Sequence, residues 1–392
     1  MKAIIHAKLL LTDHIVWDGA VTWEGDTIVE VGRTNDVTIP EGTEVTDAKG
    51  LYLAPGLIDI HNHGCFGFLF GDDPEACCRH FLAHGQTTVL PTYYSSLTAE
   101  YMLESTARMR ELSKSGATRI INGLYMEGPY MSGTGGNQRA IKWHGEIRRE
   151  EYMPLLEGLG DYARIWAIDP ERPGIEPFMA DVKAMNPDAI FAMGHSSATA
   201  GDCRRLQKYG IRVRTHHCDA GTAPGFAQGC IGAGCDEYAL YMPDLYSELI
   251  CDQNGIHVDP DMIKTVVRIK GTERIVLITD NGADYWPEMK NNEADGVAWG
   301  PDLRYDYEGH LNGSKMTLDN ACRNLMAHTG CGICQAIRMA TANPATLLGI
   351  DDKFGFLEPG KIANMILTDD VINVKSVFLC GEHVAENEDL LI

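Results

Sequence analysis

Residues 54–64 read Ala54-Pro55-Gly56-Leu57-Ile58-Asp59-Ile60-His61-Asn62-His63-Gly64, an apolar run that ends in two histidines one residue apart. Side chains alternate along an extended segment, so His61 and His63 project to one side. That is the geometry of two ligands on one cation. The fold then depends on the pattern of the chain beyond this strand.

From about residue 55 apolar runs alternate with segments of helical period, the pattern of βα units around a parallel sheet. The strand candidates are Gly56–Ile60, Thr87–Thr92, Arg119–Met126, Arg164–Ile168, Ala189–Met193, Ile211–Thr215, Ser247–Cys251 and Arg274–Thr279. Helical segments such as Pro74–His84, Ala99–Ser113, Ala200–Tyr209 and Pro260–Ile269 lie between them. Parallel strands in this number close most simply as an α/β (β/α)8 TIM barrel. The seventh strand is the least distinct, because residues 221–246 are glycine-rich and irregular.

Residues 1–54 carry short β-type runs separated by turns at Asp18-Gly19, Glu24-Gly25-Asp26 and Pro40-Glu41-Gly42, which reads as a small antiparallel sheet. After helical stretches at Thr317–Thr329 and Cys334–Leu348, strand character returns at Lys361–Thr368 and Ser376–Leu379. Both termini are therefore expected to build one small β-sandwich domain, residues 1–54 with 350–392, beside a barrel of residues 55–349.

The chain of 392 residues is long enough for both parts. Its net charge of -22 argues against nucleic acid or an anionic membrane surface as partner. No apolar stretch reaches the roughly 18 residues of a membrane span. The apolar start at Met1–Leu11 runs straight into Asp13 and His14, so it reads as a strand and not a signal peptide. The 12 cysteines have no regular spacing and suggest reduced thiols in a cytoplasmic protein.

Function in such barrels gathers at the C-terminal ends of the strands. Those ends read Asp59-Ile60-His61-Asn62-His63, Met126-Glu127-Gly128-Pro129, Gly194-His195-Ser196, Thr215-His216-His217 and Ile278-Thr279-Asp280-Asn281. Glu127 can bridge two cations, His195 and His216 complete the second, and Asp280 stands beside both. One histidine at a strand end is usually an ordinary polar residue, and Asp280-Asn281-Gly282 is also a good turn. Six such residues at one end of one barrel form a site. Nitrogen and carboxylate ligands suit one or two divalent ions, zinc foremost, with iron, manganese or cobalt as alternatives. His217 alternates away from His216 and is expected to face outward. His144 and His257 come after the third and seventh strands as candidate substrate contacts.

This constellation resembles the amidohydrolase superfamily and, within it, the N-acetylglucosamine-6-phosphate deacetylase family. Residues 54–64 resemble the superfamily's first-strand signature, and Gly355–Asn364 its closing sheet motif. Met126-Glu127-Gly128-Pro129-Tyr130, Gly194–Thr199, Thr215-His216 and Thr279-Asp280 are similar to the deacetylase motifs. The resemblance implies metal ligands at His61, His63, Glu127, His195, His216 and Asp280, with Asp280 catalytic. It implies substrate contacts at Asn137, Gln138, His144, Asp219, Ala220, His257, Leu311, Asn312 and Gly313. It also implies a homodimer, although the Arg by which the family reaches across that interface has no counterpart here.

Two features refine the expectation. Superfamily members with a carboxylated lysine carry it at the end of the fourth strand, where this chain has Ile168-Asp169-Pro170. The family's phosphate-binding Asn-Ala pair is Asp219-Ala220 here, and Thr222–Gln228 contains no basic residue. A carboxylate repels a phosphate dianion. The expected activity is removal of an acyl group, acetyl foremost, from an unphosphorylated amino sugar or related small-molecule N-acyl amine. Asp280 would take a proton from water and pass it to the leaving nitrogen, with Gln138 or His144 polarising the carbonyl. An N-acyl-D-amino acid deacylase or cyclic amidase is the second reading, and a non-catalytic binding protein the third.

Overall fold

The computed structural model describes residues 1–132, 143, 145–221, 232–283, 300–305 and 311–392. Asn137, Gln138, His144 and the stretch Thr222–Gln228 lie outside the described residues. Eight parallel strands form one sheet in sequential order: β1 (Leu57–Asn62), β2 (Gln86–Tyr94), β3 (Leu124–Glu127), β4 (Ala163–Ile168), β5 (Ile190–Met193), β6 (Ile211–Arg214), β7 (Tyr246–Ile250) and β8 (Ile275–Ile278). The expected α/β barrel is present. Helices come after the strands, among them Pro74–Ala83, Ala99–Leu112, Arg149–Leu159, Ile175–Met185 and Pro260–Lys270. A short helix, Cys235–Tyr241, sits in the glycine-rich stretch that reads as irregular.

The strands are buried on both faces, as parallel strands wrapped by helices must be. Ile58, Ile60, Tyr125, Ile165, Ala167, Ile190, Ala192, Val213, Tyr246, Ile250, Val276 and Ile278 pack together inside. Leu57, Leu124, Met126, Trp166, Ile168 and Leu249 pack with Phe81, Phe178 and Ile263 in the helix layer. On β1 the ladder to β2 shifts between Asp59 and Asn62. That irregularity changes the inward set from Ile58 and Ile60 to His61 and His63.

Closure between β1 and β8 is made largely by side chains. Asp59, fully buried, accepts from Thr279 Oγ1 at 2.6 Å, Asn62 Nδ2 at 3.0 Å and Gln86 Nε2 at 3.0 Å. Burial pushes its carboxyl up to about 6, with these donors pulling the other way. Above it, Asp280 N donates to His61 O at 3.0 Å and His63 N to Asn281 O at 2.8 Å.

Both termini contribute to a nine-stranded sheet, joined where Met365–Thr368 runs antiparallel to Tyr52–Pro55. Four local expectations need correction. The N-terminal part is mixed, because Lys2–Leu10 runs parallel to both Glu44–Asp47 and Tyr52–Pro55. Asp18-Gly19 is not a turn but a kink within Ile15–Glu24: Asp18 has φ 53°, and its Oδ1 lies 2.8 Å from Nδ1 of His6, itself at φ 55°. The stretch 334–348 is two helices, Ile333–Met339 and Ala342–Leu348, and Pro344 falls in the first turn of the second, where its missing N–H costs least. Arg119–Met126 begins as the end of the 3-10 turn Gly116–Ile120, bridges Val89 at Ile121, and enters the strand proper only at Leu124.

Asp59→Ala leaves Thr279, Asn62 and Gln86 without their acceptor and is expected to cost about 3 kcal/mol or more in urea unfolding. Asp59→Asn should cost less, and equal stability of all three proteins would refute this closure role.

Candidate metal centre

The residues at the strand ends converge on Glu127, which closes β3. Its Oε1 lies 2.8 Å from His195 Nε2, 3.3 Å from His216 Nε2 and 3.8 Å from His61 Nε2. Its Oε2 lies 3.4 Å from His63 Nε2. Asp280 Oδ1 stands 3.2 Å from His63 Nε2 and 3.6 Å from His61 Nε2. All six expected ligands are buried.

Local backbone geometry aims several of them. His195, His216 and Asp280 come just after β5, β6 and β8 and have φ of 44°, 29° and 46°. Non-glycine residues enter this left-handed region at a cost of order 1–3 kcal/mol, and such corners gather at functional sites. Gly313, φ 73°, lets the strand Leu311–Ser314 close on the Asp280 corner: a Cβ there would meet Asp280 O at 2.5 Å. Below the His216 corner, buried Arg214 donates through Nε to Asp236 at 2.6 Å and through a terminal nitrogen to Asp219 O at 3.2 Å.

Two overlapping groups can each hold a cation, His61–His63–Glu127 and Glu127–His195–His216, with ligand atoms within 4.8 Å of one another. The polar atoms fit this. His61 Nε2 and His63 Nε2 are buried with no hydrogen-bond partner among the described residues. His195 Nε2 and His216 Nε2 approach to 3.2 Å while both face the same carboxylate oxygen. A cation between such nitrogens and Glu127 satisfies all of them, so the residues fit one or two divalent ions.

Charges are set by the packing. Burial pushes the Glu127 carboxyl up, but His195, His216 and His63 outweigh it and hold it well below the usual range. Asp280 is likewise lowered: burial opposes ionisation, and the His63 contact with the His61 and His63 charges overcomes it. For His61, burial disfavours the charged form, yet Glu248, Asp280 and Glu127 push it up to about 10. His63 is lowered by burial.

Among the expected substrate contacts, Asp219 Oδ2 lies 3.6 Å from His257 Nδ1 and 3.8 Å from His216 Nδ1. His257 donates from Nε2 to Gly313 O at 3.0 Å, which brings Asp219, His257 and Gly313 to the edge of the cluster. Ala220, φ 46°, continues the turn from Asp219. Asn312 gives its carbonyl to Arg304, and Leu311 pairs with Tyr305. His217 does point away from His216, but it is fully buried, with Nδ1 3.1 Å from Ser247 Oγ. Its outward direction leads into the helix layer and not to solvent, because helices cover the barrel wall.

Sequence patterning misses two neighbours of the cluster. Tyr94 stacks on His63 with centroids 3.6 Å apart and planes at 6°. Glu248, fully buried on β7, places Oε2 3.2 Å from His61 Nδ1. A glutamate inside the apolar run Tyr246–Ile250 is the signal that could have found it.

Fold and site together are those of a barrel hydrolase, and comparison with known proteins makes it one that acts on amide carbon–nitrogen bonds. The chain belongs to the amidohydrolase family, whose model matches residues 52–386. It is 28% identical to N-acetylglucosamine-6-phosphate deacetylase of Haemophilus influenzae, over 93% of this chain and 94% of that one. It is 27% identical to N-acetylgalactosamine-6-phosphate deacetylase of Escherichia coli O157:H7, over 97% and 99%. The crystal structure of N-acetylglucosamine-6-phosphate deacetylase from Pasteurella multocida superposes with a TM-score of 0.84 at 26% identity, covering 97% of this chain and 99% of that one.

Removing divalent ions with a chelator should lower the melting temperature, and restoring them should raise it. Free ion at a thousand times its dissociation constant contributes about 4 kcal/mol. An unfolding curve indifferent to metal would mean that the cluster holds none.

Proposed function

We propose that the protein is a metal-dependent deacylase that removes an acyl group, acetyl foremost, from an unphosphorylated amino sugar or related N-acyl amine. The observation that carries the reaction is the convergence of four imidazoles and Asp280 on Glu127. His61, His63, Glu127, His195 and His216 would hold one or two ions, with Asp280 beside them, and zinc suits this nitrogen–oxygen set best. A bound divalent ion supplies Lewis acidity, lowering the pKa of water toward 7 and polarising an amide carbonyl. Asp280, ionised in its imidazole surroundings, accepts the water proton at Oδ1 and returns it to the departing nitrogen. Tyr94, stacked on His63, fixes that ring and excludes water from one side of it.

The relatives named above act on phosphorylated amino sugars of two different epimers, which supports an amino-sugar substrate without deciding the sugar. The phosphate is argued from Asp219. Its carboxylate is held below the usual range by His257 and His216 against burial. Burial lowers His257, but Asp219 and Asp280 outweigh it and push it up to about 9. The Asp219 carboxylate, 3.6 Å from His257 Nδ1, offsets the positive charge that ring can carry and leaves a phosphate dianion no excess of it. At the end of β4, Asp169 accepts from Ser196 Oγ at 2.5 Å and lies outside the cluster, which weighs against a cyclic amidase built on a carboxylated lysine. Among the described residues no helix is long and apolar enough to cross a membrane, and the described cysteines are free thiols, in keeping with a cytoplasmic location.

Asp280→Asn should retain metal and lose about 100-fold or more in kcat; near-full turnover would remove Asp280 from the proton path. In an amine-release assay the metal-loaded enzyme should prefer unphosphorylated N-acyl sugars over their 6-phosphates. Asp219→Asn should shift kcat/KM toward the phosphorylated sugar by about tenfold, equivalent to ~1.4 kcal/mol. Wild-type preference for the 6-phosphate would overturn this reading of the substrate.

A further inference from the structure

Glu248 lies within the barrel between two inward residues of β7, Tyr246 and Ile250. It is fully buried, and an ionised carboxylate in such a place is costly unless something compensates it. Two donors reach the same oxygen: Oε2 lies 3.2 Å from His61 Nδ1 and accepts from the backbone N of His216 at 3.2 Å. Oε1 meets no partner in close hydrogen-bond geometry among the described residues, and the Tyr125 hydroxyl, 2.8 Å from Thr215 Oγ1, is the further polar group that interacts with this carboxylate. Two hydrogen bonds could be made as well by a neutral glutamine, so packing alone gives no reason for a charge here.

The two contacts belong to different halves of the cluster. His61 is in the group with His63, and His216 is in the group with His195. Glu127 joins these halves on the ligand side, and Glu248 joins them from behind. Its acceptor oxygen also selects one tautomer of His61. With the proton on Nδ1, directed at Glu248, the lone pair of Nε2 is left facing Glu127 and Asp280. His63 and His216 meet backbone carbonyls instead, Thr92 O at 3.2 Å and Asp219 O at 3.3 Å from their Nδ1 atoms. The packing reinforces the His61 orientation, since the Tyr125 ring lies against it with centroids 4.5 Å apart.

We propose that Glu248 is a positioning residue: it fixes the tautomer and direction of the His61 imidazole and, as a carboxylate, makes its Nε2 a stronger donor than an amide in the same place would, and so sets the affinity of the ion position shared by His61 and His63. The proposal rests on the assignment of these two histidines as metal ligands. A carboxylate behind a ligating imidazole makes the ring a better donor, and its loss typically costs 10–100-fold in metal affinity.

The test is stepwise zinc affinity, measured by competition with a chromophoric chelator on wild type, Glu248→Gln and His63→Ala. His63→Ala identifies the binding step that belongs to the His61–His63 position. Glu248→Gln is expected to weaken that same step about 10–100-fold, with the other step changed much less and the metal-free melting temperature near that of wild type. Equal weakening of both steps together with a lower metal-free melting temperature would mark Glu248 as a structural residue and overturn the proposal, as would unchanged affinities. A wild type whose zinc binding is indifferent to His63→Ala would instead refute the ligand assignment beneath it. A second measurement does not depend on the variant folding. Long-range proton–nitrogen correlation spectra of zinc-loaded, 15N-histidine-labelled wild type, with the His61 signals assigned by their loss in His61→Gln, should show Nδ1 protonated. A proton on Nε2 of His61 would overturn the proposal.

Discussion

The carboxylate of Glu127 is the point on which the site depends. It is buried, it is the last residue of β3, and the Nε2 atoms of four histidines from three other strand ends surround it. Inside a protein a buried carboxylate is expensive, and His61 Nε2 and His63 Nε2 face this one without a hydrogen-bond partner among the described residues. A divalent cation resolves both deficits at once. The cluster is therefore best understood as a receptor for positive charge whose metal-free form is poorly balanced, and its position at the C-terminal mouth of a barrel puts that charge where substrate enters.

The barrel holds this arrangement through its least regular parts. β1 and β8 close through Asp59 and its donors and through the Asp280 and His63 backbone contacts, so the seam of the barrel and the floor of the site are one structure. The left-handed corners at His195, His216 and Asp280 turn three side chains inward at the point where the strands end. Arg214 ties the His216–Asp219 turn to Asp236. Strain and buried charge are concentrated where function requires them, and the strands beneath supply the stability.

Much of this was legible in the sequence for definite reasons. A strand period of two and a fixed catalytic end of the barrel make His61, His63, Glu127, His195, His216 and Asp280 recoverable from spacing alone, and the structure brings all six together. Glu248 was not legible, because one polar residue in an apolar run identifies a buried charge but not its partner 187 residues away. Asp59 sits beside the histidine pair and reads as part of that motif, while its role in closure appears only once Thr279 and Gln86 are placed. The Asp18 kink and the break between Met339 and Ala342 show the limit of reading local residues: Asp-Gly can kink a continuous strand, and helical period does not mark where one helix ends and the next begins.

The most direct measurement is anomalous diffraction at the zinc edge from crystals grown with zinc. The account predicts zinc beside the Glu127 carboxylate, against His61 and His63 and, where both positions fill, also against His195 and His216. A single peak on the His195–His216 side would remove the first histidine pair from the metal centre. No peak at Glu127, or zinc bound only elsewhere, would contradict the account at its root.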